Sequence, residues 1–291
     1  VITRIDAHQH YWRISARAGY WPPRELGAIY RDFGPADLAP ELDAARIDGT
    51  VLVQSLPSDE DTQYLLDLAG PTETVRAVVG WLDLKAADVA DRIARFAAHP
   101  KARGLRPMLQ DLPDDNWIDD PVLDKAVDAM LAHRLCFDAL VMPRHLDSLR
   151  AFALRYPDLP IVVDHGAKPE ICNQALEPWL QRMARLACLP NVHCKLSGLW
   201  TEAGAVTERT AFRKLTWPYI RALAELFGHQ RLMWGSDWPV LRLAANGGGY
   251  GEWLATCEED CDDLFGPAAR VDIFGGNACR FYRIGTPGHH H

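Results

Sequence analysis

The sequence predicts a single-domain (β/α)8 barrel of the α/β class. Eight apolar, strand-like runs alternate with helical stretches at spacings of roughly 25–45 residues, the rhythm of such a barrel. The C-terminal ends of those runs carry many polar and aromatic residues, where barrels of this kind place their active sites. No Gly-x-Gly-x-x-Gly follows the first run, which disfavours the doubly wound open sheet.

Taken in order, the first strand is read at 3–6, where Ile5 follows Ile2 in a short apolar-rich run. The others are read at 50–55 (Thr-Val-Leu-Val-Gln-Ser), 75–81 (Val-Arg-Ala-Val-Val-Gly-Trp), 103–109, 135–141, 161–164, 192–196 and 231–235. Their β-branched and aromatic content suits a pleated, buried surface. Between them, an apolar period of three to four residues predicts helices at 37–47, 59–68, 86–97, 121–132, 146–155, 176–187 and 211–226, with another at 250–264 after the eighth strand. No linker or composition break divides the chain, so residues 1–284 are read as one barrel.

Composition narrows the function classes. With 291 residues and 48% hydrophobic content, the chain can bury one large core. A net charge of −8 argues against nucleic acid or an anionic membrane as the main partner. No apolar run approaches the roughly eighteen residues of a membrane span, and no charged-then-apolar leader is expected ahead of the first strand. The seven cysteines are odd in number, scattered and free of Cys-x-x-Cys pairs, which reads as reduced thiols of a cytoplasmic protein. The tail 285–291 ends in three histidines after Gly-Thr-Pro-Gly and reads as a purification-tag remnant, so it is set aside from any metal argument.

Two segments point to chemistry. Arg4-Ile5-Asp6-Ala7-His8-Gln9-His10 places two histidines two residues apart at a strand end. Side chains two apart on a strand share a side, so both imidazoles can converge on one point, as a divalent metal or an acid/base centre needs. Far downstream, Leu232-Met233-Trp234-Gly235-Ser236-Asp237-Trp238-Pro239 is a second apolar strand ending in a carboxylate. The other predicted strand ends offer Gln54, Trp81 and Asp83, Arg106, Asp138, Asp164-His165 with Lys168, and Lys195 with Ser197. Each has a structural alternative, since a strand-end Asp often caps the next element and Arg106 can simply pair with Asp83 or Asp138. Together they describe one polar mouth.

These residues carry a family resemblance. His8-Gln9-His10, Asp164-His165-Gly166-Ala167-Lys168-Pro169, Cys194-Lys195-Leu196-Ser197-Gly198-Leu199 and Trp234-Gly235-Ser236-Asp237-Trp238-Pro239 together resemble the amidohydrolase superfamily, and most of all its amidohydrolase-2 branch of TIM-barrel lactonases. The resemblance runs from Ile5 to Tyr282. It implies hydrolysis of a lactone, with Asp237 activating water beside His10 and His165, and His8, His10, His165 and Asp237 as the metal-ligating set. Binuclear members of the superfamily have a carboxylated lysine or a bridging acid on strand 4 and histidines on strands 5 and 6. Here strand 4 offers Arg106 and strand 5 Phe137-Asp138, so the expectation is one divalent ion, zinc or manganese, or none, as some relatives in this branch work without metal.

The chemistry predicts a substrate class. Water attacks an ester carbonyl more readily when it loses a proton and the developing oxyanion is stabilised. Arg106 and Lys195 are expected to hold substrate oxygens, and Trp21, Trp81 and Trp238 to offer flat faces for a sugar ring. Gln54, Asp83 and Asp138 suit hydroxyl groups better than carboxylates. A neutral hydroxylated lactone is therefore favoured, and the resemblance implies a sugar-acid lactone such as a fucono- or rhamnonolactone. The alternatives are a pyrone or muconolactone carboxylate, with Arg24 or Arg144 adding charge, and a metal-dependent decarboxylase of the same superfamily. Self-association into a homo-oligomer is left open.

Overall fold

The computed structural model describes residues 3–17, 19–244 and 249–285. The proposed tag remnant falls almost wholly outside the described residues. Eight parallel strands follow one another around one sheet: β1 (Ile5–Gln9), β2 (Gly49–Val53), β3 (Val75–Gly80), β4 (Ala102–Leu105), β5 (Cys136–Ala139), β6 (Ile161–Val163), β7 (Val192–Leu196) and β8 (Leu232–Trp234). The barrel closes where Gln9 bridges Trp238 and the His10 amide donates to the Trp238 carbonyl at 2.8 Å.

The helices form the outer layer: α1 (Pro35–Ala45), α2 (Asp59–Ala69), α3 (Val89–Ala97), α4 (Asp124–Ala132), α5 (Leu146–Arg155), α6 (Trp179–Ala187), the single turn α7 (Leu199–Glu202), α8 (Arg209–Phe227), α9 (Tyr250–Phe265) and α10 (Asn277–Phe281). Their apolar stripes meet the outward residues of the strands, among them Leu52, Val78 and Leu105. No helix among the described residues is long and apolar enough to cross a membrane.

The barrel interior is built in layers. Ile5, Ala7, Val51, Val53, Ala77, Val79, Cys136, Val162 and Met233 fill its lower part, and Phe281, Tyr282 and Ile284 at and after α10 close it from below. Above them lies a layer of buried charge, and above that the mouth. The inward face of β7 climbs through all three: His193 beside Phe281, then Lys195 among carboxylates, then Ser197 against His165.

One departure from simple alternation makes the mouth. Ile5 and Ala7 point into the barrel, whereas Asp6 meets Tyr250 of α9. Strict alternation would send His8 outward with Asp6. The register between β1 and β2 shifts between Asp6 and Gln9, and His8 turns inward. A bulge re-aims a side chain in this way. Gly235 makes room for it, because a Cβ there would lie 2.7 Å from the His8 Cβ.

Candidate active site

The mouth opens into a cavity of about 570 Å³. At its floor are His10, His165, Asp237 and Arg106, and its walls include Trp21, Trp81, Trp117, Tyr20, Met108, Asp83, Asp111, Gln110 and Lys168.

The floor is held by backbone conformations that ordinary loops avoid. His165 (φ 54), Gly166, Ala167 and Lys168 all adopt positive φ just after β6, and Asp237 (φ 57) does so after β8. Runs of this kind persist only where surrounding contacts enforce them, and they cluster at functional sites. Here the Asp237 amide donates to the His8 carbonyl at 2.8 Å. Buried Asp6 accepts from the Ser236 amide, the His8 amide and the Tyr250 hydroxyl. Burial still pushes its carboxyl up to about 6, against those hydrogen bonds. Gly198 is required too, since it has φ +65 and a Cβ there would fall 2.5 Å from the His165 Nδ1.

The floor atoms converge on a point. His10 Nε2 lies 3.2 Å from His8 Nε2 and 3.3 Å from Asp237 Oδ1. Asp237 Oδ1 is also 3.7 Å from His8 Nε2 and 3.9 Å from His165 Nε2. Burial lowers all three imidazoles, His165 to about 4, so they are neutral at pH 7. Burial alone would raise Asp237, but the neighbouring His165, His10 and His8 outweigh it and hold the carboxylate well below its ordinary range. Asp237 is therefore ionised at neutral pH and free to accept a proton from water.

The same donors fit a divalent ion. His8, His165 and Asp237 each offer one atom within 4.8 Å of the others. A tetrahedral zinc with ligands at about 2.0–2.1 Å has ligand–ligand edges of about 3.3–3.4 Å, close to the His10 and Asp237 spacings above. Two outer partners are in place: His10 Nδ1 is 2.7 Å from the Val53 carbonyl, and His165 Nδ1 is 2.9 Å from Ser197 Oγ.

Of the substrate-binding residues expected from the sequence, Trp21, Trp81, Asp83 and Arg106 line the cavity. Four others do not, and the structure corrects them. Asp138 and Lys195 lie fully buried one layer down, paired at 2.6 Å, and Asp138 also accepts from the Tyr282 hydroxyl at 2.6 Å. Gln54 is turned away, donating to the Arg106 carbonyl at 2.7 Å. Trp238 is 1% exposed, its ring edge-on to Phe33 and Tyr11. Arg106 pairs with neither Asp83 nor Asp138. Its Nη1 donates to Asp164 Oδ2 at 3.0 Å and its Nη2 to the Gln54 carbonyl. Asp83 instead accepts from the Lys85 amide, and Arg144 pairs with Asp115.

Sequence reasoning missed Trp117, Gln110 and Asp111. All three sit on the long connection between β4 and α4, and that length was the available signal, because long structured loops are commonly functional. It also missed Arg17, which is buried and donates to the Trp21 carbonyl at 2.8 Å and to Ser55 Oγ at 2.5 Å. Arg17 thereby pins the loop that carries Trp21 over the mouth.

Comparison with known proteins agrees with this geometry. The model of a protein family described as Amidohydrolase matches residues 5–284. An L-fucono-1,5-lactonase of Burkholderia ambifaria is 61% identical over 284 residues, covering 98% of this chain and 97% of that protein. An L-fucono-1,5-lactonase of Burkholderia multivorans is 36% identical, covering 98% of this chain and 97% of its own. A crystal structure of an amidohydrolase from Burkholderia multivorans with bound zinc superposes with a TM-score of 0.91 at 36% identity, covering 97% of this chain and all of that one.

Proposed function

This chain belongs to the amidohydrolase family, and from that premise we propose that it is a lactonase opening the ring ester of a sugar-acid lactone, with L-fucono-1,5-lactone as the lead substrate. The observation that carries the reading is Asp237 at the cavity floor, its Oδ1 3.3 Å from His10 Nε2 and 3.9 Å from His165 Nε2, in surroundings that keep the carboxylate ionised. Asp237 Oδ1 takes a proton from water as the water oxygen bonds to the lactone carbonyl carbon. The charge that develops on the carbonyl oxygen is stabilised by a donated N–H of His165 and by the positive field of Arg106. Collapse breaks the bond to the ring oxygen, which takes the proton from Asp237, and the hydroxy acid leaves as a carboxylate and a proton.

The walls support a neutral, hydroxylated substrate. Trp21, Trp81 and Trp117 offer ring faces, and Asp83, Asp111 and Gln110 can accept from hydroxyl groups. Among the described residues, the cavity's two cations are Arg106, already committed to Asp164, and Lys168, 3.7 Å from Glu202. A dicarboxylate would need more free positive charge than that.

His8, His10, His165 and Asp237 are the residues that would hold a divalent ion, with zinc tried before manganese because the Burkholderia multivorans structure contains zinc. When bound, such an ion supplies Lewis-acid polarisation of the carbonyl. The seven unpaired cysteines suit a reducing, cytoplasmic setting.

The test is a panel of aldonolactones and hydroxy- or amino-aromatic acids with a pH indicator. Lactone hydrolysis releases acid, whereas decarboxylation consumes protons. Acid release from L-fucono-1,5-lactone is expected. No acid from any lactone would overturn the reading.

A further inference from the structure

The buried ammonium beneath the mouth constrains where His8 carries its proton. Lys195 is completely buried and has three N–H donors. Its Nζ lies 2.6 Å from Asp138 Oδ2, 3.0 Å from Asp164 Oδ1 and 3.1 Å from His8 Nδ1. An ammonium can only donate, so its contact with His8 requires a lone pair on Nδ1. A neutral imidazole has one such nitrogen, and its proton then sits on Nε2.

The next link agrees. The Val53 carbonyl can only accept, so His10 Nδ1 donates to it and His10 Nε2 is left as an acceptor. That lone pair faces His8 Nε2 at 3.2 Å, and it leaves the 3.3 Å approach of Asp237 Oδ1 to the same nitrogen without a hydrogen bond. The donors therefore run one way: Lys195 to His8, His8 to His10, His10 to Val53. Two groups compete for His8. Asp164 Oδ1 is 3.4 Å from Nδ1, but makes no hydrogen bond of acceptable geometry there. Arg106 Nη1 is 3.5 Å from Nε2, yet has a nearer acceptor in Asp164 Oδ2 at 3.0 Å.

We propose that Lys195 is a positioning residue that fixes His8 in the Nε2–H form, making it a hydrogen-bond donor in the metal-free site and setting how readily the site takes a divalent ion. A metal ligand needs the lone pair on Nε2, so binding through His8 moves its proton to Nδ1 and costs the Lys195 contact. The proposal rests on the reading of the mouth as the reaction site only for its catalytic consequence, since the tautomer is a property of the resting protein.

The first measurement is a two-bond proton–nitrogen NMR spectrum of tag-free, metal-free protein labelled with ¹⁵N-histidine, with His8 assigned by the signal lost in His8→Asn. A protonated Nε2 and an unprotonated Nδ1 are expected. The reverse pattern overturns the proposal. The second compares zinc affinity, by competition with a chromophoric chelator, between Asp138→Asn and the double variant Asp138→Asn/Lys195→Met, which removes the cation together with one of its carboxylates. Zinc binding at least tenfold tighter in the double variant is expected, and a Lys195→Arg exchange in the Asp138→Asn background should restore the weaker value. Equal or weaker binding in the double variant overturns it. Should the double variant not fold, the wild-type spectrum decides alone. Failure of lactone turnover would sink the proposed function and leave both measurements standing.

Discussion

The mouth of the barrel and the layer of charge just beneath it use the same kinds of side chain for opposite ends. In the lower layer Lys195, Asp138, Asp164, Arg106 and Tyr282 pair mainly with one another, with contacts of 2.6 to 3.0 Å and almost no exposure, though Arg106 Nε, Asp138 Oδ1 and Asp164 Oδ1 make no hydrogen bond. At the mouth Asp237 faces imidazoles at 3.3 to 3.9 Å across a space open to the cavity. A closed network spends its hydrogen-bonding capacity on itself and acts as scaffold. An open one keeps capacity for a substrate. The two sit one strand position apart, so depth along the strand, more than residue type, decides which role a polar group takes.

The sharpest break of this comparison is Asp237→Asn. Asparagine tolerates the positive φ of that position, so the fold should hold. Turnover should drop by roughly two to four orders of magnitude with the base removed. Steady-state kinetics on L-fucono-1,5-lactone beside thermal melting checks both. Near-normal turnover would move the base elsewhere.

The opposite break is Lys195→Met alone, which strands two buried carboxylates. It should cost about 3–5 kcal/mol of stability, as removing one partner of a buried ion pair commonly does. Urea unfolding measures it. A loss below about 1 kcal/mol, the level of an exposed pair, would mean that the layer is wet.

This difference also explains what the sequence could and could not reveal. The barrel was legible because strand and helix periods alternate without interruption, and His8, His10, His165 and Asp237 were legible because they follow strands in recognisable motifs. Asp138 and Lys195 looked equally like mouth residues: β5 was read to residue 141 but stops at Ala139, whereas β7 ends at Leu196 as expected and Lys195 still lies one layer down, held by Asp138 and Asp164. Arg106 was expected to hold substrate oxygens, with an acid of strand 3 or 5 as the structural alternative, but its partner Asp164 comes from the end of β6, two strands on. Such a pairing depends on barrel curvature, which no local pattern records. The inward turn of His8 likewise depends on a shift of register with β2.

Arg106 belongs to both regions, and Arg106→Met should show both signatures. Catalytic efficiency should fall at least tenfold, about 1.4 kcal/mol in the transition state. Stability should fall as well, because Asp164 loses a partner at 3.0 Å. Kinetics normalised to the folded fraction separates the two. Full activity per folded molecule would assign Arg106 to the scaffold alone.

The smallest expected effect compares two histidines at opposite ends of the barrel. His165 at the mouth and His193 at the bottom are each pushed down to about 4, first by burial, and for His193 also by Arg231 and Arg280. An unfolded histidine binds its proton near pH 6.5. Between about pH 6.5 and 4 the unfolded chain therefore holds protons that the folded chain refuses, and stability falls as pH falls through that window. The contribution is fully present above the unfolded value and is lost as the pH approaches 4. His193 is partly exposed, with its ring 4.9 Å from Phe281, so solvent screening leaves it about 1–2 kcal/mol. In His193→Gln the dependence of unfolding free energy on pH should flatten over this window, with turnover at pH 7.5 unchanged. In His165→Gln the same flattening should come with a loss of turnover. Chemical denaturation at half-unit pH steps supplies the slopes. If His193→Gln leaves the acid slope as steep as before, His193 titrates as it would in water, and the bottom of the barrel is not sealed by α10.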